Sequence, residues 1–278
     1  GDGQKNDPKP KDERDAVIAI IQKASPDILA IQEMGNAAIF EEFRFALRQA
    51  GLDYPHVEYL QRGRSELNMA VLSRYPIVAR QPHTDDEYTI GSATIPVSRG
   101  FIDVDIEVNP SYRFRLMTAH LKSKVFHSLG QTEMRRNEAR LLNNHIRKAL
   151  KENPDLNLVI VGDMNDSPHS AALRELMGDR KKVVFDVRPC DSEKDAWTFV
   201  DSTEDIYSRI DYILVSPGMR PELVPEKTCA MRDPLVYAGS DHRPLLAAFS
   251  AQDAVSTHLP ELGPKRLPKS SLSGGKDL

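Results

Sequence analysis

Apolar and polar residues follow one another along this chain in two different rhythms. Near its start, Ala16, Val17, Ile20, Ile21 and Ala24 recur at three- and four-residue spacing, which predicts an amphipathic helix from about Lys11 to Ala24. Ser25-Pro26 ends it, because proline disfavours helical geometry in the residue before it. Next comes DILAIQEM, an apolar run of strand length that finishes on the acidic Glu33. A second helix is predicted from about Ala37 to Gln49, with Gly51 as its stop. From Leu67 onward the rhythm changes. MAVLSRYPI, FIDVDIEV, FRLMTAHL, LNLVIVGD, RIDYILVS and LLAAFS are short runs rich in Val, Ile, Leu and Phe, and each reads as a strand. One long helix, TEMRRNEARLLNNHIRKALK, lies among them. Met134, Leu141, Leu142, Ile146, Ala149 and Leu150 form its core-facing stripe, and Asn153-Pro154 closes it.

Helices and strands are interspersed without a fixed repeat length, which excludes a solenoid or propeller and suits a layered α/β domain. No composition shift marks an internal boundary, so residues 1–251 read as one domain. Residues 252–278 lose apolar periodicity and read as a disordered tail. The 278 residues are 40% hydrophobic and 28% charged, the profile of an ordinary globular protein. With 37 Lys+Arg against 41 Asp+Glu, the net charge of -4 argues against a strongly basic nucleic-acid-binding surface. Cys190 and Cys229 have no metal-binding spacing and read as two semi-buried thiols, with a single disulfide as the alternative. No apolar run approaches membrane-spanning length. The opening GDGQKNDPKPKDERD is neither a signal peptide nor a strand.

Chemistry-bearing side chains gather at the ends of the apolar runs. Glu33 follows DILAIQ, His120 follows RLMTA, Asp163 and Asn165 follow LVIVG, Asp211 sits within RIDYILV, and Asp241 and His242 precede RPLLAAF. Strand ends of an α/β scaffold are where sites are usually assembled. Each residue alone has a plainer reading: a turn glutamate, a satisfied strand-end histidine, a common Gly-Asp turn. Together, two imidazoles, an amide and several carboxylates meet the needs of phosphoryl transfer: a positioned water, neutralised phosphoryl oxygens and a protonated leaving group. Arg74, Arg99 and Lys122 lie near the same segments and are candidates for contact with substrate phosphate, a solvated surface charge being the plainer reading for Arg99. Arg135-Arg136 reads as a helix face, and His127, His145, His169 and His258 as structural or exposed.

PDILAIQEM, MAVLSRYPI, TAHLKS, IVGDMNDSP, RIDYILVS and GSDHRPL resemble, in order, the successive signatures of the endonuclease/exonuclease/phosphatase superfamily, from about Pro26 to Phe249. The resemblance implies a DNase I-like fold, a four-layer α/β sandwich of two mixed sheets flanked by helices. It implies a divalent-metal-dependent phosphoester hydrolase, expected first as a phosphodiesterase or nuclease acting on DNA or RNA as a monomer. Inositol phosphates or phospholipids are alternative substrates, and a catalytically inactive binding protein is a further alternative. By the same resemblance, Glu33 ligates Mg²⁺ or Mn²⁺ with Asp241 beside the metal, and Asp163 orients or deprotonates the attacking water. Asn165 donates to the phosphoryl oxygens, His242 is oriented by Asp211 and contacts the scissile phosphate, and His120 stabilises the transition state or protonates the leaving oxygen. Two departures stand out. Family members begin with a strand carrying a metal-site Asn, and nothing before the first helix here resembles it, Asn6 being a poor substitute. The first strand is therefore expected to be missing by truncation. DNase I-like members also orient the first histidine with a Glu where this chain has Gly100.

Overall fold

The computed structural model describes residues 9–62, 66–178 and 182–253. Asn6 and all of the expected tail beyond residue 253 lie outside the described residues. In chain order the elements are α1 (Lys11–Ala24), β1 (Ile28–Ile31), α2 (Ala37–Gln49), β2 (His56–Leu60), β3 (Met69–Ser73), β4 (Ile77–Arg80), β5 (Glu87–Ile90), β6 (Ala93–Pro96), β7 (Phe101–Asn109) and β8 (Tyr112–His120). They continue with α3 (Gln131–Glu152), β9 (Leu158–Asp163), α4 (Ala171–Met177), β10 (Phe185–Asp186), β11 (Phe199–Asp201), β12 (Ile206–Ser208), β13 (Asp211–Val215), β14 (Leu223–Ala230), α5 (Pro234–Gly239) and β15 (Leu245–Phe249). Local chemistry accounts for the helix ends. Ser25 closes α1 in the left-handed conformation at φ 42°, its N–H on the Ile21 carbonyl, while the Asn36 side chain caps α2 by accepting from Ala38 and Ile39 N–H.

A six-stranded sheet of order β10-β13-β9-β8-β7-β4 forms the centre. It is mixed, because β8 and β9 run parallel while its other pairs are antiparallel. Joining two parallel strands needs a crossover, and α3 is that crossover. A second layer is in two pieces: the sheet β1-β3-β2 and the hairpin β14-β15. The edges of β1 and β15 carry no strand partner among the described residues, and both strands line one cavity of about 1230 Å³.

Side-chain alternation sorts the strands into four layers. In β9, Leu158 and Ile160 pack outward against Leu142 and Ile146 of α3, whereas Val159 faces the second layer. Ile28, Ala30, Met69, Val71, Leu245, Ala247 and Phe249 meet it there. On the far side of the second layer, Leu29, Ile31, Ala70 and Leu72 cover α1 and α2 through Ile21, Phe40 and Leu47. The sandwich is therefore α1/α2, split second layer, six-stranded sheet, α3/α4.

Two departures from the sequence reading have local causes. MAVLSRYPI is not one strand: the Ser73 hydroxyl bonds both the N–H and the carbonyl of Tyr75, Pro76 follows, and the chain crosses from β3 in one layer to β4 in the other. Strand β14 escaped notice because Pro225 interrupts LVPEKTCA, and its pairing with β15 shifts register between Val224 and Cys229. Cys190 and Cys229 are both half-buried free thiols. No helix among the described residues is long and apolar enough to cross a membrane. Ile146 is fully buried between α3 and the sheet. Ile146→Ala should therefore cost about 2–5 kcal/mol, seen as a lower urea midpoint with an unchanged slope.

Candidate active site

Three adjacent strands end in the same row. His120, the last residue of β8, is opposite Asp163, the last residue of β9, and Asp163 is opposite Asp211, the first residue of β13. Residues opposite one another across a ladder point to the same face. By the alternation of each strand, that face is the one turned to the second layer. Gly162 makes the row possible, because a Cβ there would sit 2.0 Å from the Ala119 carbonyl oxygen, and its φ is 134°. Only glycine tolerates both that approach and that dihedral.

The second layer closes the site from above. Glu33 leaves the end of β1 at φ 58°, with its carboxylate 3.9 Å from His120 Nε2. His242, three residues before β15, places Nδ1 2.9 Å from Asp211 Oδ2. Asp241 is exposed beside it, its carbonyl accepting from Val200 N–H. Asn165 also has a positive φ, 54°. Non-glycine residues in that region cost energy and cluster at functional sites. Its backbone N–H donates to Asp163 Oδ1 at 2.7 Å, and its side-chain amide donates to Asp163 Oδ2 and to the Leu121 carbonyl. In this arrangement Asn165 holds the Asp163 carboxylate, and its amide hydrogens already have partners. Glu33, His120, Asp163, Asp211, Asp241 and His242 all line the 1230 Å³ cavity.

Electrostatics divide the two histidines. His120 is 4% exposed, and burial, then the nearby charges of Arg99 and His242, hold its pKa well below the usual value. Its Nδ1 is buried without a hydrogen-bond partner, and the residue at position 100 is a glycine with no acidic side chain to offer. His242 goes the other way. Burial opposes its charge, but the hydrogen bond that its Nδ1–H donates to Asp211 and the charges of Asp211, Asp163 and Asp241 outweigh it, raising the imidazole to about 9. Burial first and the Asp211 charge second push the Asp163 carboxyl up to about 7.

These carboxylates suit a hard divalent cation. Asp163, Asp211 and His242 each offer a donor atom within 4.8 Å of the others, and Glu33 adds a largely exposed carboxylate nearby. Burial is the main cause of the raised Asp163, and the negative charges of Asp211 and then Glu33 add to it. A divalent ion with oxygen ligands would compensate those charges.

Of the candidate phosphate contacts, Arg99 and Lys122 lie at the site and Arg74 does not. Arg99 is half-buried, donates to the carbonyls of His120 and Leu121, and keeps a buried Nε without a partner. Lys122 turns its Nζ back to the Ser123–Val125 turn. Arg74 pairs with Asp27 and Ser25, at the opposite end of β1 from Glu33. The antiparallel register of β1 with β3 places it there, because Ser73 pairs with Ile28.

Three supporting residues were missed in the sequence. Buried Glu138 of α3 accepts from Ser98 N–H, Ser98 Oγ and Lys122 N–H, fixing both loops that flank His120. It lies four residues after Met134 and four before Leu142, so a charge on the apolar stripe was a visible signal. Arg135 is buried rather than on a solvated face, and it binds Asp166 and the Lys122 and Ser123 carbonyls. Arg243, beneath the Trp197 ring at 4.2 Å, is buried against Asp191 at 2.9 Å and secures the strand entry next to His242.

Residues 3–242 match the model of the Endonuclease/Exonuclease/phosphatase family. No curated protein sequence matches the chain. Among solved structures, truncated TDP2 of Caenorhabditis elegans is similar, at 17% identity and TM-score 0.61 over 85% of this chain and 89% of that one. The human Nocturnin catalytic domain with bound sulfate is similar at 15% identity and TM-score 0.64, over 87% and 88%. Sphingomyelinase C from Streptomyces griseocarneus is similar at 17% and 0.59, over 86% and 93%. At these identities the likeness is one of fold.

Two outcomes follow from the electrostatics. In metal-free protein, an NMR titration of the ring nitrogens should find His242 protonated at neutral pH and deprotonating near pH 9, and His120 neutral into the acid range. The stability contributed by the His242–Asp211 pair is then complete below the unfolded histidine value and fades as pH rises through about 9. Asp191→Ala leaves buried Arg243 without its carboxylate and should cost about 3–5 kcal/mol in chemical denaturation.

Proposed function

Because the chain belongs to the endonuclease/exonuclease/phosphatase family, we propose that it is a Mg²⁺- or Mn²⁺-dependent phosphodiesterase that cleaves nucleic acid by direct attack of water on phosphorus. The observation that carries this reading is the row His120–Asp163–Asp211 completed by His242. A divalent cation, held by Glu33 with Asp241 beside it, would supply neutralisation of the phosphoryl oxygens.

Asp163, both oxygens fixed by Asn165, accepts the proton of the attacking water as the new P–O bond forms. In the metal-free protein burial raises this carboxyl, the direction that favours taking up a proton. The Asp211-paired His242 carries a proton at neutral pH, and it passes that proton from Nε2 to the leaving oxygen as the old P–O bond breaks. Neutral His120 donates a hydrogen bond from Nε2 to a phosphoryl oxygen, since its depressed pKa leaves it no extra proton to give. Arg99, whose Nη1 donates to the His120 and Leu121 carbonyls, adds a fixed positive charge.

A second reading, a lipid phosphodiester, is favoured by one feature. Exposed Tyr207 and Tyr237 line a pocket with Trp197, and Ile206 and Leu235, their near neighbours in the chain, are also exposed. Plasmid DNA, phosphatidyl-ester vesicles and bis-p-nitrophenyl phosphate, each with Mg²⁺, Mn²⁺ or EDTA, separate the two. EDTA-sensitive cleavage of DNA supports the first reading, and cleavage of vesicles alone supports the second. Asp163→Asn and His242→Ala should each lower turnover by about 10²–10⁴-fold while far-UV circular dichroism stays unchanged. Near-normal turnover in either variant would remove that residue from the mechanism.

A further inference from the structure

A second cluster of metal-binding side chains lies away from the catalytic row. His83 follows β4 and bridges to Phe101, Asp86 directly precedes β5, and His145 stands midway along α3. One donor atom from each lies within 4.8 Å of the other two. The two imidazole rings are stacked, with centroids 3.6 Å apart and planes 18° from parallel. Each ring has one nitrogen engaged by a carboxylate: His83 Nε2 with Asp103 Oδ2 at 2.9 Å, and His145 Nε2 with Asp86 Oδ2 at 2.6 Å. All three residues are half-buried, sheltered but within reach of solvent.

The surroundings are those of a prepared ligand set. Asp103 is fully buried and is itself gripped by Arg115, whose Nε donates to it at 2.6 Å. A carboxylate that fixes one imidazole nitrogen as N–H leaves the lone pair of the other free and makes it more basic, the usual outer-shell device of metal-bound histidine. Two imidazoles and one carboxylate suit a borderline transition-metal ion such as Zn²⁺, whereas Mg²⁺ prefers oxygen ligands and its own waters. Donor atoms around tetrahedral zinc stand about 3.3 Å apart. The three donors now lie within 4.8 Å of one another, so binding would draw them together.

We propose that His83, Asp86 and His145 form a second metal site, selective for Zn²⁺ or a similar transition-metal ion over Mg²⁺, which pins the β5–β6 ribbon to α3. The ribbon is paired only within itself among the described strands, so this attachment matters to it. Asp86 accepts from Val97 N–H, and the next residues, Ser98 and Arg99, reach Glu138 and the His120 carbonyl. The site uses none of the residues of the catalytic row, so it stands or falls separately from the proposed hydrolysis.

The test uses the whole protein, stripped of metal and dialysed against Zn²⁺, with bound zinc counted by elemental analysis and thermal unfolding followed in parallel. The wild type should retain one zinc more than His145→Ala or Asp86→Asn and should gain more thermal stability from Zn²⁺ than either variant, while any gain from Mg²⁺ is the same in all three. Either variant should bind that zinc at least about tenfold more weakly. Should His145→Ala fail to fold, Asp86→Asn decides the matter, since its amide still offers His145 a hydrogen-bond partner. Equal zinc content in the wild type and Asp86→Asn, or no zinc in either, overturns the site and leaves the cluster as a hydrogen-bonded brace.

Discussion

Strand β9 pairs in parallel with β8 and antiparallel with β13, and the two ladders bring His120, Asp163 and Asp211 into one row at the end of the sheet. Everything chemical in the molecule refers to that row. A slip of one residue in either ladder would send a member of it to the α3 side, because side chains alternate faces. The protein guards the register where it is most exposed to error. Gly162 lets the β8 and β9 backbones come together, and β13 is held at its start by the Thr198 hydroxyl, which accepts from the N–H groups of Ile210 and Asp211.

Around the row, burial and charge give chemically identical residues different states. His120 and His242 are both imidazoles within one cavity, yet one is kept neutral by desolvation and the other charged by its carboxylate partner. The difference comes from position: His120 is set into the sheet, while His242 stands on a strand entry facing Asp211. A further ring of buried ions fixes these positions, and of these Arg243 also lines the cavity. Glu138 ties the loops beside His120 to α3, Arg135 reaches Asp166 and the Lys122 carbonyl, and Arg243 with Asp191 anchors the segment that carries His242.

Much of this was legible before any coordinates. The helix boundaries Lys11–Ala24 and Ala37–Gln49 follow from apolar spacing and from Ser-Pro and Gly stops, and the strands that end at His120 and Asp163 or run on to Glu33 follow from apolar runs meeting an ionisable residue. The less legible parts depend on what crosses between segments. The spacing of Arg74 after a strand looks like that of Arg99, but antiparallel pairing carries the first to the far end of β1, while the turn before β7 delivers the second to His120. The amide of Asn165 is engaged by Asp163 in its own turn and by the Leu121 carbonyl on the segment after β8, which its place in the sequence does not show. Short strands such as β10–β12 have too few residues to show a period, and pairing alone defines them.

The split second layer has a mechanical consequence. Glu33 rides on the β1-β3-β2 piece and Asp241 on the entry to the β14-β15 hairpin, and no ladder of backbone hydrogen bonds ties those two pieces together among the described residues. Their connection runs instead through the helices that feed them, where Gly239 of α5 lies close against Val17 and Glu13 of α1. Two plates joined by a helix contact can tilt against each other more cheaply than neighbours in one continuous sheet. Among the described residues, the two carboxylates are therefore carried on separate pieces, each set independently over a row that two backbone ladders fix.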